Sequence, residues 1–567
     1  MIEDAMTDEK RGGTCGITVM PEGKVIFYSP GEDLLSLLSK EGVFVDGACG
    51  GAGTCGKCKV AILSGDLPPP SGNERDLLSE EERLGRCRLA CRIVPAGDIV
   101  VEVPAPQREF AIPASETPPD SRLKPGLYGL AVDIGTTTVE AALTDMRTGR
   151  EVAVRSAINP QTRFGMDVLS RISYVMARPD GVDTLQRAIV ELLDSMAGEL
   201  CPEPSSIAAV AVAANCAMLH LLLGVSPAPL GAFPFRPAFV EGRDLPAAEI
   251  GLKNVGKGAR LYCLPSVSAF IGADIVAGLY ASGLTRQKGN VLFIDIGTNG
   301  EMALFREGPI REGPQGSLQE ASLVSCSCAA GPALEGMNIR CGMRAAVGAV
   351  EDVFIDADGS VRLKIIGAGA SETGTPVGIC GSGILAAVRE FLRVGLVRPD
   401  GALATAEELP LGRRSLAALC REENGNLAVR LSEKVIVTQK DIRQVQLAKG
   451  ALLSGVCALL DWWGLQARDL DKVFVAGQFG AHLPAESLTG CGILPAELQG
   501  KIEYLGNSSR IGARKALTSS SVREEMEALA RSVACLELGA TPGYEELFMR
   551  CLEFPPGNRE DPSADRP

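Results

Sequence analysis

Short segments with alternating apolar and polar residues open the chain, and longer, fully apolar segments follow beyond residue 127. The segment at residues 16–42, GITVMPEGKVIFYSPGEDLLSLLSKEG, predicts two short strands joined by a turn at residues 21–23, then a helix that begins near Gly31. The segments KVAILSG and DIVVEVP place apolar residues at every second position, which is typical of half-buried strands. The first hundred residues therefore predict a small domain with one mixed sheet.

Two apolar segments further along repeat one another. LAVDIGTTTVEAALTD begins at Leu130, and LFIDIGTNGEMALF begins at Leu292. Each predicts a buried strand, an Asp-Ile-Gly-Thr turn and a second strand. The spacing of 162 residues between Asp133 and Asp295 indicates an internal duplication.

Two other segments define how the chain is divided. Residues 104–125, PAPQREFAIPASETPPDSRLKP, are rich in proline and polar residues and predict a linker. The run SIAAVAVAANCAMLHLLLGV is long enough to cross a bilayer, but Asn215 and His220 interrupt it. We therefore expect the residues ANC to form a turn between a buried strand and a helix, and we expect no membrane span.

Composition restricts the kinds of partner. The 567 residues are 46% hydrophobic, which is enough for several buried cores. The net charge of -14 argues against nucleic acid or an anionic membrane as the main partner. The first twenty residues lack the basic start and apolar core of a signal peptide, so we expect a cytoplasmic protein. Most of the 18 cysteines lie singly in apolar segments, as core thiols do in a reducing compartment.

One group of cysteines departs from this background. Cys49, Cys55 and Cys58 lie within ten residues among glycines, and Cys87 and Cys91 follow in RCRLACRIV. Three close thiolates and a distant fourth are the ligand pattern of a [2Fe-2S] cluster. Zinc is the alternative, although structural zinc sites usually take paired cysteines twice. The spacing alone leaves open whether Cys87 or Cys91 is the fourth ligand.

The repeated turns have the chemistry of phosphate loops. Glycine lets backbone N–H groups approach an anion, threonine hydroxyls add donors, and an aspartate at a strand end can hold hydrated Mg²⁺. Asp133 and Asp295 are the candidate magnesium residues, and Glu301 is a candidate to position the attacking water or to bind Mg²⁺ through water. The phosphate-binding candidates are Gly135, Thr136, Thr137 and Thr138 in the first turn and Gly297, Thr298 and Asn299 in the second.

The duplication resembles the superfamily of acetate and sugar kinases, heat-shock proteins and actin, in which two ribonuclease-H-like halves clamp ATP. The resemblance implies a late turn that contacts adenosine, and KVFVAGQFGAHL supplies it with Gly477 and Gln478. PVGICGSGILAAVREFLRVG is similar in form, with its glycines before an amphipathic helix whose N–H groups can face an anion. Plain helix capping is the alternative for this second segment, whose candidate residues are Gly381, Ser382 and Gly383.

Residues 14–104 have a β-grasp outline and resemble [2Fe-2S] ferredoxins of the adrenodoxin-like branch. In that branch the last ligand lies in a phrase similar to RLACRI, so the resemblance implies Cys91 as the fourth ligand. We thus predict a ferredoxin domain at 14–104, a linker at 105–127, a first actin-like half at 128–288 and a second half at 289–553.

Over residues 14–550 the ordered phrases, among them NCAMLHLLLG, IGADIVAGL, DIGTNGE, CAAGPALEGMNIRCGMRAA and VAGQFGAHL, resemble the reductive activators of corrinoid proteins. This resemblance implies an ATP-dependent transfer of one electron from a [2Fe-2S] cluster to a corrinoid protein of a methyltransferase system. Cobalt(II) would become cobalt(I), which accepts methyl groups. A low-potential electron donor and a homodimer are also implied.

Three other functions remain open from the sequence. An activator of 2-hydroxyacyl-CoA dehydratases also couples ATP to an electron, but it carries a [4Fe-4S] cluster between subunits. A small-molecule kinase with a ferredoxin as redox sensor would need a catalytic aspartate, for which Asp133, Asp274 and Asp295 are the candidates. A plain electron carrier would leave the two repeated turns without a role.

Overall fold

The computed structural model describes residues 15–103, 128–308, 322–367 and 375–556, apart from residues 22, 29–30, 42, 44, 46–52, 54–55, 57, 79, 357, 410, 424–425 and 478–479. The predicted linker at 105–127 therefore lies outside the described residues.

The N-terminal domain is a mixed five-stranded sheet with three short helices. Its elements are β1 Cys15–Met20, β2 Lys24–Tyr28, α1 Leu34–Lys40, β3 Lys59–Ser64, α2 Gly72–Leu77, α3 Glu80–Leu84, β4 Cys87–Leu89 and β5 Ile99–Glu102. The strand order is β2-β1-β5-β3-β4, with β1 parallel to β5 and the other pairs antiparallel. This sheet, with α1 packed on its buried face, confirms the predicted β-grasp domain.

The first half of the larger fold is a six-stranded sheet flanked by helices. Its elements are β6 Tyr128–Ile134, β7 Thr138–Asp145, β8 Glu151–Ile158, α4 Val168–Ala177, α5 Gly181–Leu200, β9 Ile207–Ala214, α6 Cys216–Leu222, β10 Arg243–Pro246, β11 Arg260–Cys263 and α7 Ala273–Ser282. The strand order is β8-β7-β6-β9-β11-β10. The predicted turn at ANC is confirmed, because the Asn215 side chain caps α6 by accepting from the Met218 N–H at 3.0 Å.

Among the described residues, the second half contains a second six-stranded sheet and two three-stranded sheets. Its strands are β12 Asn290–Ile296, β13 Gly300–Arg306, β14 Leu323–Cys328, β15 Ala349–Ile355, β16 Val361–Ile365, β17 Gly378–Ile379, β18 Cys420–Glu423, β19 Asn426–Arg430, β20 Ile436–Thr438, β21 Lys472–Ala476, β22 Ile502–Gly506 and β23 Val533–Cys535. Its helices are α8 Gly381–Val394, α9 Gln439–Trp463, α10 Ala485–Gly490, α11 Ser508–Thr518, α12 Ser520–Ser532 and α13 Tyr544–Cys551.

Five strands of each large sheet share one topology, and the sixth strands, β10 and β23, lie at opposite edges. The second sheet has the order β14-β13-β12-β21-β22, as the first has β8-β7-β6-β9-β11. In both, the first three strands in sequence pair antiparallel and the next two join parallel to the first. The shared order and directions confirm the predicted duplicated, ribonuclease-H-like architecture.

Helix α9 is the one described helix that is long and apolar enough to cross a membrane by composition. Its most apolar window is 72% buried inside the protein. Ile442, Leu452 and Leu459 from this helix pack in the core of the second half. We conclude that α9 is the central core helix of that half.

Helix α7 lies between the two large sheets. Ala273, Val276 and Ala277 on one face belong to the core of the first half. Ile275 and Leu279 on the other face pack against the second sheet. The single helix therefore joins the hydrophobic cores of both halves.

Helices α11 and α12 follow the second sheet in sequence but pack on the first half. Ala513 and Leu517 of α11 and Met526 of α12 are part of the first core. At Gly512, an added Cβ would lie 2.4 Å from the Ala277 carbonyl oxygen, so glycine is what allows α11 to lie directly on α7. The boundary predicted between the two halves at residue 288 assigns α11 and α12 to the second half, whereas both helices pack on the first.

Replacing Gly512 with alanine tests this close approach. Within an isolated helix the change would stabilise by about 1 kcal/mol. Here the new methyl group overlaps α7, so we expect a loss of about 2 kcal/mol in the free energy of unfolding, measured by urea denaturation. Gly539→Ala is the matched control, because no described atom lies within 4 Å of its added Cβ. Equal stability of the two variants would contradict the packing described.

Candidate functional site

Two of the predicted cluster ligands lie side by side. The Sγ atoms of Cys58 and Cys91 are 3.3 Å apart, farther than the roughly 2.05 Å of a disulfide. Cys58 immediately precedes β3, and Cys91 lies in a 3-10 turn, Ala90–Arg92, whose first N–H donates to the Cys58 carbonyl at 2.7 Å. Both thiols are buried. The other two predicted ligands, Cys49 and Cys55, lie outside the described residues.

Cys87 has a different environment. It lies on β4 opposite Ala61 and is half-buried. Burial, and then the nearby Glu82 carboxylate, raise the pKa of the Cys87 thiol. The contact between the thiols of Cys58 and Cys91 favours Cys91 as the fourth ligand.

A buried ion pair fixes the strand that leads to Cys91. Arg88 donates to the Glu74 carboxylate through Nε at 2.8 Å and Nη2 at 3.1 Å, and the Leu89 N–H donates to it at 3.2 Å. Glu74 is fully buried, and burial alone would raise its pKa. The hydrogen bonds from Arg88, Ser71 and Leu89 outweigh burial and hold the pKa below its ordinary value. The pair is therefore charged and orients the segment before the cysteine.

The backbone at Gly53 approaches a cation. A Cβ added there would lie 1.9 Å from Arg92 Nε, and φ is +73°. Only glycine fits so close to the guanidinium with this backbone conformation. Arg92 follows Cys91 directly, so a positive charge adjoins the loop that would surround an anionic cluster. The cysteine spacing gave no indication of this arginine.

Three carbonyl groups of the first phosphate loop are held from one side. Asn159 donates from its side chain to the Gly135 carbonyl and from its N–H to the Thr137 carbonyl, each at 2.9 Å. The fully buried Arg171 donates to the Thr136 carbonyl. The C=O and N–H of a planar trans peptide point in opposite directions, so the paired N–H groups face away from these donors. This arrangement prepares the loop to bind an anion.

Each loop is flanked by a pair of acidic residues on adjacent strands. Asp133 on β6 lies opposite Glu140 on β7, and Asp295 on β12 lies opposite Glu301 on β13. The first turn is one residue longer than the second, so the sequence spacing of the two pairs differs. Sequence reasoning identified Glu301 and missed Glu140 for this reason.

The two glutamates have different partners. Glu140 forms an ion pair with Arg510 Nε at 2.5 Å and accepts from Ser156 Oγ at 3.0 Å. Asn507 donates from Nδ2 to Glu140 at 3.1 Å and to Asp133 at 2.9 Å. Asn507 and Arg510 come from the cap and first turn of α11, so the returning helix supplies a cation to Glu140 and an amide donor to both acidic residues.

The second pair lies beside Asp274, in the first turn of α7. Burial, followed by the charge of Asp274, raises the pKa of Asp295 to about 7. Burial raises the pKa of Asp274 itself to about 6. Burial and the charges of Asp274 and Asp295 raise the pKa of Glu301 well above its ordinary value. The pKa of Asp133 is also raised, first by burial and then by Asp274.

These carboxyl groups carry more negative charge than their surroundings compensate, which suits a cation accompanied by phosphates. The described residues contain no group of three or more Asp, Glu, His or Cys side chains arranged to enclose a metal ion by themselves. Magnesium in nucleotide sites usually keeps several waters and binds one or two carboxylates plus phosphates. The donor set therefore fits Mg²⁺ that arrives with a nucleotide.

The predicted adenosine turn adjoins the second phosphate loop. Gly477 follows β21 with φ of +89°, and an added Cβ would lie 2.5 Å from Asp295 Oδ1. Gln478 lies outside the described residues. After the turn the structure has a 3-10 turn, Gly480–His482, and then α10.

The glycines at the start of α8 have a packing role that sequence reasoning did not foresee. The helix begins at Gly381, and Ser382 Oγ lies 3.3 Å from Cys380 Sγ. A Cβ at Gly383 would lie 2.1 Å from the Val350 carbonyl oxygen on β15. This glycine therefore lets α8 lie against β15, and its contact with a cofactor stays a prediction.

Comparison with known proteins identifies the family. A profile described as "RACo middle region" matches residues 128–287, and one described as "C-terminal domain of RACo the ASKHA domain" matches residues 289–563. "Corrinoid activation enzyme RamQ" of Eubacterium limosum is 32% identical over 452 residues, 77% of this chain and 72% of that protein. The chain belongs to the RACo family. The ASKHA match supports ATP as the nucleotide of this RACo protein.

Two further similarities agree with the assignment of this RACo family member. The "[Co(II) methylated amine-specific corrinoid protein] reductase" of Methanosarcina barkeri is 25% identical over 454 residues, 76% of this chain and 77% of that protein. A solved structure titled "Reductive activator for corrinoid,iron-sulfur protein" matches with a TM-score of 0.65 and 28% identity, over 95% of this chain and 98% of that one.

The N-terminal domain of this RACo protein also has a family match. Residues 17–96 match a profile described as "2Fe-2S iron-sulfur cluster binding domain". The match and the neighbouring Cys58 and Cys91 thiols support an iron–sulfur cluster and disfavour the zinc alternative.

The raised pKa values predict that nucleotide binding releases protons. Near pH 6.5 Asp295 and Asp274 are partly protonated, and a bound magnesium–nucleotide complex favours their ionised forms. We expect release of about one proton per Mg-ATP at pH 6.5 and almost none at pH 8.5, measured by calorimetry in buffers of different ionisation enthalpy. Asp295→Asn should reduce the release, whereas Asp356→Asn on an exposed turn should not. Proton uptake would contradict the raised pKa values.

Proposed function

We propose that this chain reduces the cobalt of a corrinoid methyl-carrier protein from Co(II) to Co(I) in an ATP-dependent step. The observation that carries the proposal is one chain with both an iron–sulfur domain and a duplicated cleft whose two phosphate loops carry acidic pairs. The names of the relatives from Eubacterium limosum and Methanosarcina barkeri support the same substrate. One electron passes to the cobalt, and ATP is hydrolysed to ADP and phosphate.

Cys49, Cys55, Cys58 and Cys91 are the residues that we propose as the ligands of a [2Fe-2S] cluster. When bound, that cluster supplies one-electron redox chemistry at low potential. The buried Glu74–Arg88 pair orients the segment before Cys91, and Arg92 adds positive charge next to Gly53. Hydrogen bonds and positive charge near the sulfurs offset the charge of such a site and tune its potential.

For the nucleotide, we propose that the two loops hold the phosphates of ATP from opposite sides. Asp133 and Asp295 hold hydrated Mg²⁺, with Asp274 as a third acidic neighbour. Glu301 orients the water that attacks the terminal phosphate. Support for Glu301 over Glu140 comes from the ion pair that already engages Glu140 with Arg510, whereas burial and acidic neighbours raise the pKa of Glu301.

An energetic argument explains why ATP is needed. Plant-type clusters have potentials near about -400 mV, and the family resemblance implies a more negative Co(II)/Co(I) couple. A deficit of about 100 mV for one electron corresponds to about 2.3 kcal/mol. ATP can supply this only if it favours one conformation of the complex over another. The two halves of the cleft share α7, and α11 follows the second half in sequence but packs on the first. Contacts of both phosphate loops with one nucleotide can therefore favour one relative position of the halves.

We further propose that the chain works in the cytoplasm, as a homodimer, and receives electrons from a low-potential donor. The domain boundaries at 14–104, 105–127, 128–288 and 289–553 are part of the proposal. The iron–sulfur domain disfavours the dehydratase-activator alternative, because those activators place a [4Fe-4S] cluster between subunits. A small-molecule kinase reaction involves no electron transfer, so the iron–sulfur domain does not favour the kinase alternative either.

The decisive test uses the reduced protein under anaerobic conditions. Dithionite-reduced protein is mixed with a Co(II) corrinoid protein of a methyltransferase system, with and without Mg-ATP, and the visible spectrum is followed. We expect the Co(I) band to grow only with ATP. Glu301→Gln should lower the ATP-dependent rate by about 100-fold or more and leave the iron–sulfur spectrum unchanged. Exposed Glu407→Gln is the control. ATP hydrolysis without Co(I) from any such partner would contradict the proposal.

A cysteine pair tests the cluster ligands separately. Cys91→Ser should abolish the [2Fe-2S] absorption and electron paramagnetic resonance signals, because it removes a thiolate. Cys87→Ser should retain both, because Cys91, whose thiol lies 3.3 Å from that of Cys58, is the ligand that we propose. Nucleotide binding should be unaffected in either variant. Loss of the cluster in Cys87→Ser and its retention in Cys91→Ser would reverse the assignment.

A further inference from the structure

The segment CAAGPALEGMNIRCGMRAA has no role in the function described so far. It follows β14 and forms a 3-10 turn, Pro332–Glu335, between Gly331 and Gly336, which have φ of +75° and +79°. The Gly331 N–H donates to the Thr298 carbonyl at 2.9 Å. The turn is thereby attached to the second phosphate loop.

Glu335 at the end of this turn lies between the two loops. Thr298 of the second loop donates from Oγ1 to Glu335 Oε1 at 2.6 Å. Thr137 of the first loop is 9% exposed, and its hydroxyl has no hydrogen-bond partner among the described residues. The hydroxyl is nevertheless close enough to Glu335 to lower the pKa of that carboxyl.

The buried position of Glu335 is unfavourable for an ionised carboxylate. Burial raises the pKa of Glu335, and the contacts with Thr298 and Thr137 and the charge of Arg344 only oppose that effect. Both threonines are candidate phosphate donors of the proposed ATP site. The Glu335 oxygen that accepts from the Thr298 hydroxyl, close to the Thr137 hydroxyl, occupies the kind of position that a phosphate oxygen would take.

We propose that Glu335 is an internal competitor of the nucleotide, which engages the donor Thr298 beside the buried Thr137 hydroxyl and is displaced by a phosphate group of ATP. The inference rests on the proposed ATP site. Displacement breaks the hydrogen bond between Thr298 and Glu335, and the Thr298 hydroxyl then donates to a phosphate oxygen. The turn at 332–335 then moves, and with it the segment that leads to Arg344. Glu335 is a positioning residue, since it acts through the two threonines.

Nucleotide affinity of the full-length protein tests the proposal without any corrinoid partner. Glu335→Gln keeps the shape and removes the competing charge, so it should bind ATP and ADP about tenfold more tightly than the wild type in calorimetry. Adenosine has no phosphate, so its affinity should not change. Exposed Glu433→Gln is the matched control. In a Thr298→Val background the gain from Glu335→Gln should shrink, because the shared donor is absent.

Unchanged or weaker ATP binding by folded Glu335→Gln would overturn the inference, as would an equal gain for adenosine. Failure of the wild type to bind ATP would overturn the proposed function as well, so the two failures are distinguishable.

Hydrogen exchange of the wild-type protein is a second test, which does not depend on whether the variant folds. ATP should accelerate amide hydrogen exchange in residues 331–344, and adenosine should not. Equal exchange with both ligands would also overturn the inference.

Discussion

Burial of several acidic groups close together in the cleft is the constraint on which the rest of the structure depends. The equivalent first strands of the two sheets each carry an aspartate as their penultimate residue, and α7 brings Asp274 close to both. Burial first, and then the neighbouring acidic charges, raise the pKa values of Asp133, Asp295 and Glu301, so ionising all of these groups together is costly. Sharing of α7 between two hydrophobic cores offsets this cost, because the helix cannot move away without exposing apolar surface.

The duplicated halves are alike in topology and different in charge. In the first half, Asn507 and Arg510 satisfy the acidic pair, and both belong to a helix that the second half sends back. In the second half, Glu301 has acidic neighbours. The first acidic pair thus has a cation and an amide donor as partners, and the second retains a carboxyl group, Asp295, that changes protonation near neutral pH.

Periodicity and motif spacing predicted the architecture well. Alternation predicted the β-grasp strands, and the two Asp-Ile-Gly-Thr turns predicted matching sheets, because these signals are local in sequence. The role of Glu140 was hidden because it depends on strand register, and the first turn is one residue longer than the second.

Arg171, Asn507 and Glu335 could not be predicted from the sequence. Each of these side chains contacts a residue that lies at least 35 positions away in the sequence. The thiol of Cys58 and that of Cys91 became neighbours only through the pairing of β3 with β4. Residues whose function depends on tertiary contact carry no local pattern in the sequence.

The return of α11 and α12 has a mechanical consequence. The chain passes between the halves three times, at residues 283–290, at 506–508 and again where α12 ends and β23 begins. Two domains joined by a single linker can be pulled apart without disturbing either core, but three connections restrict the relative motion of these halves. Any opening of the cleft must be accommodated at all three crossings together.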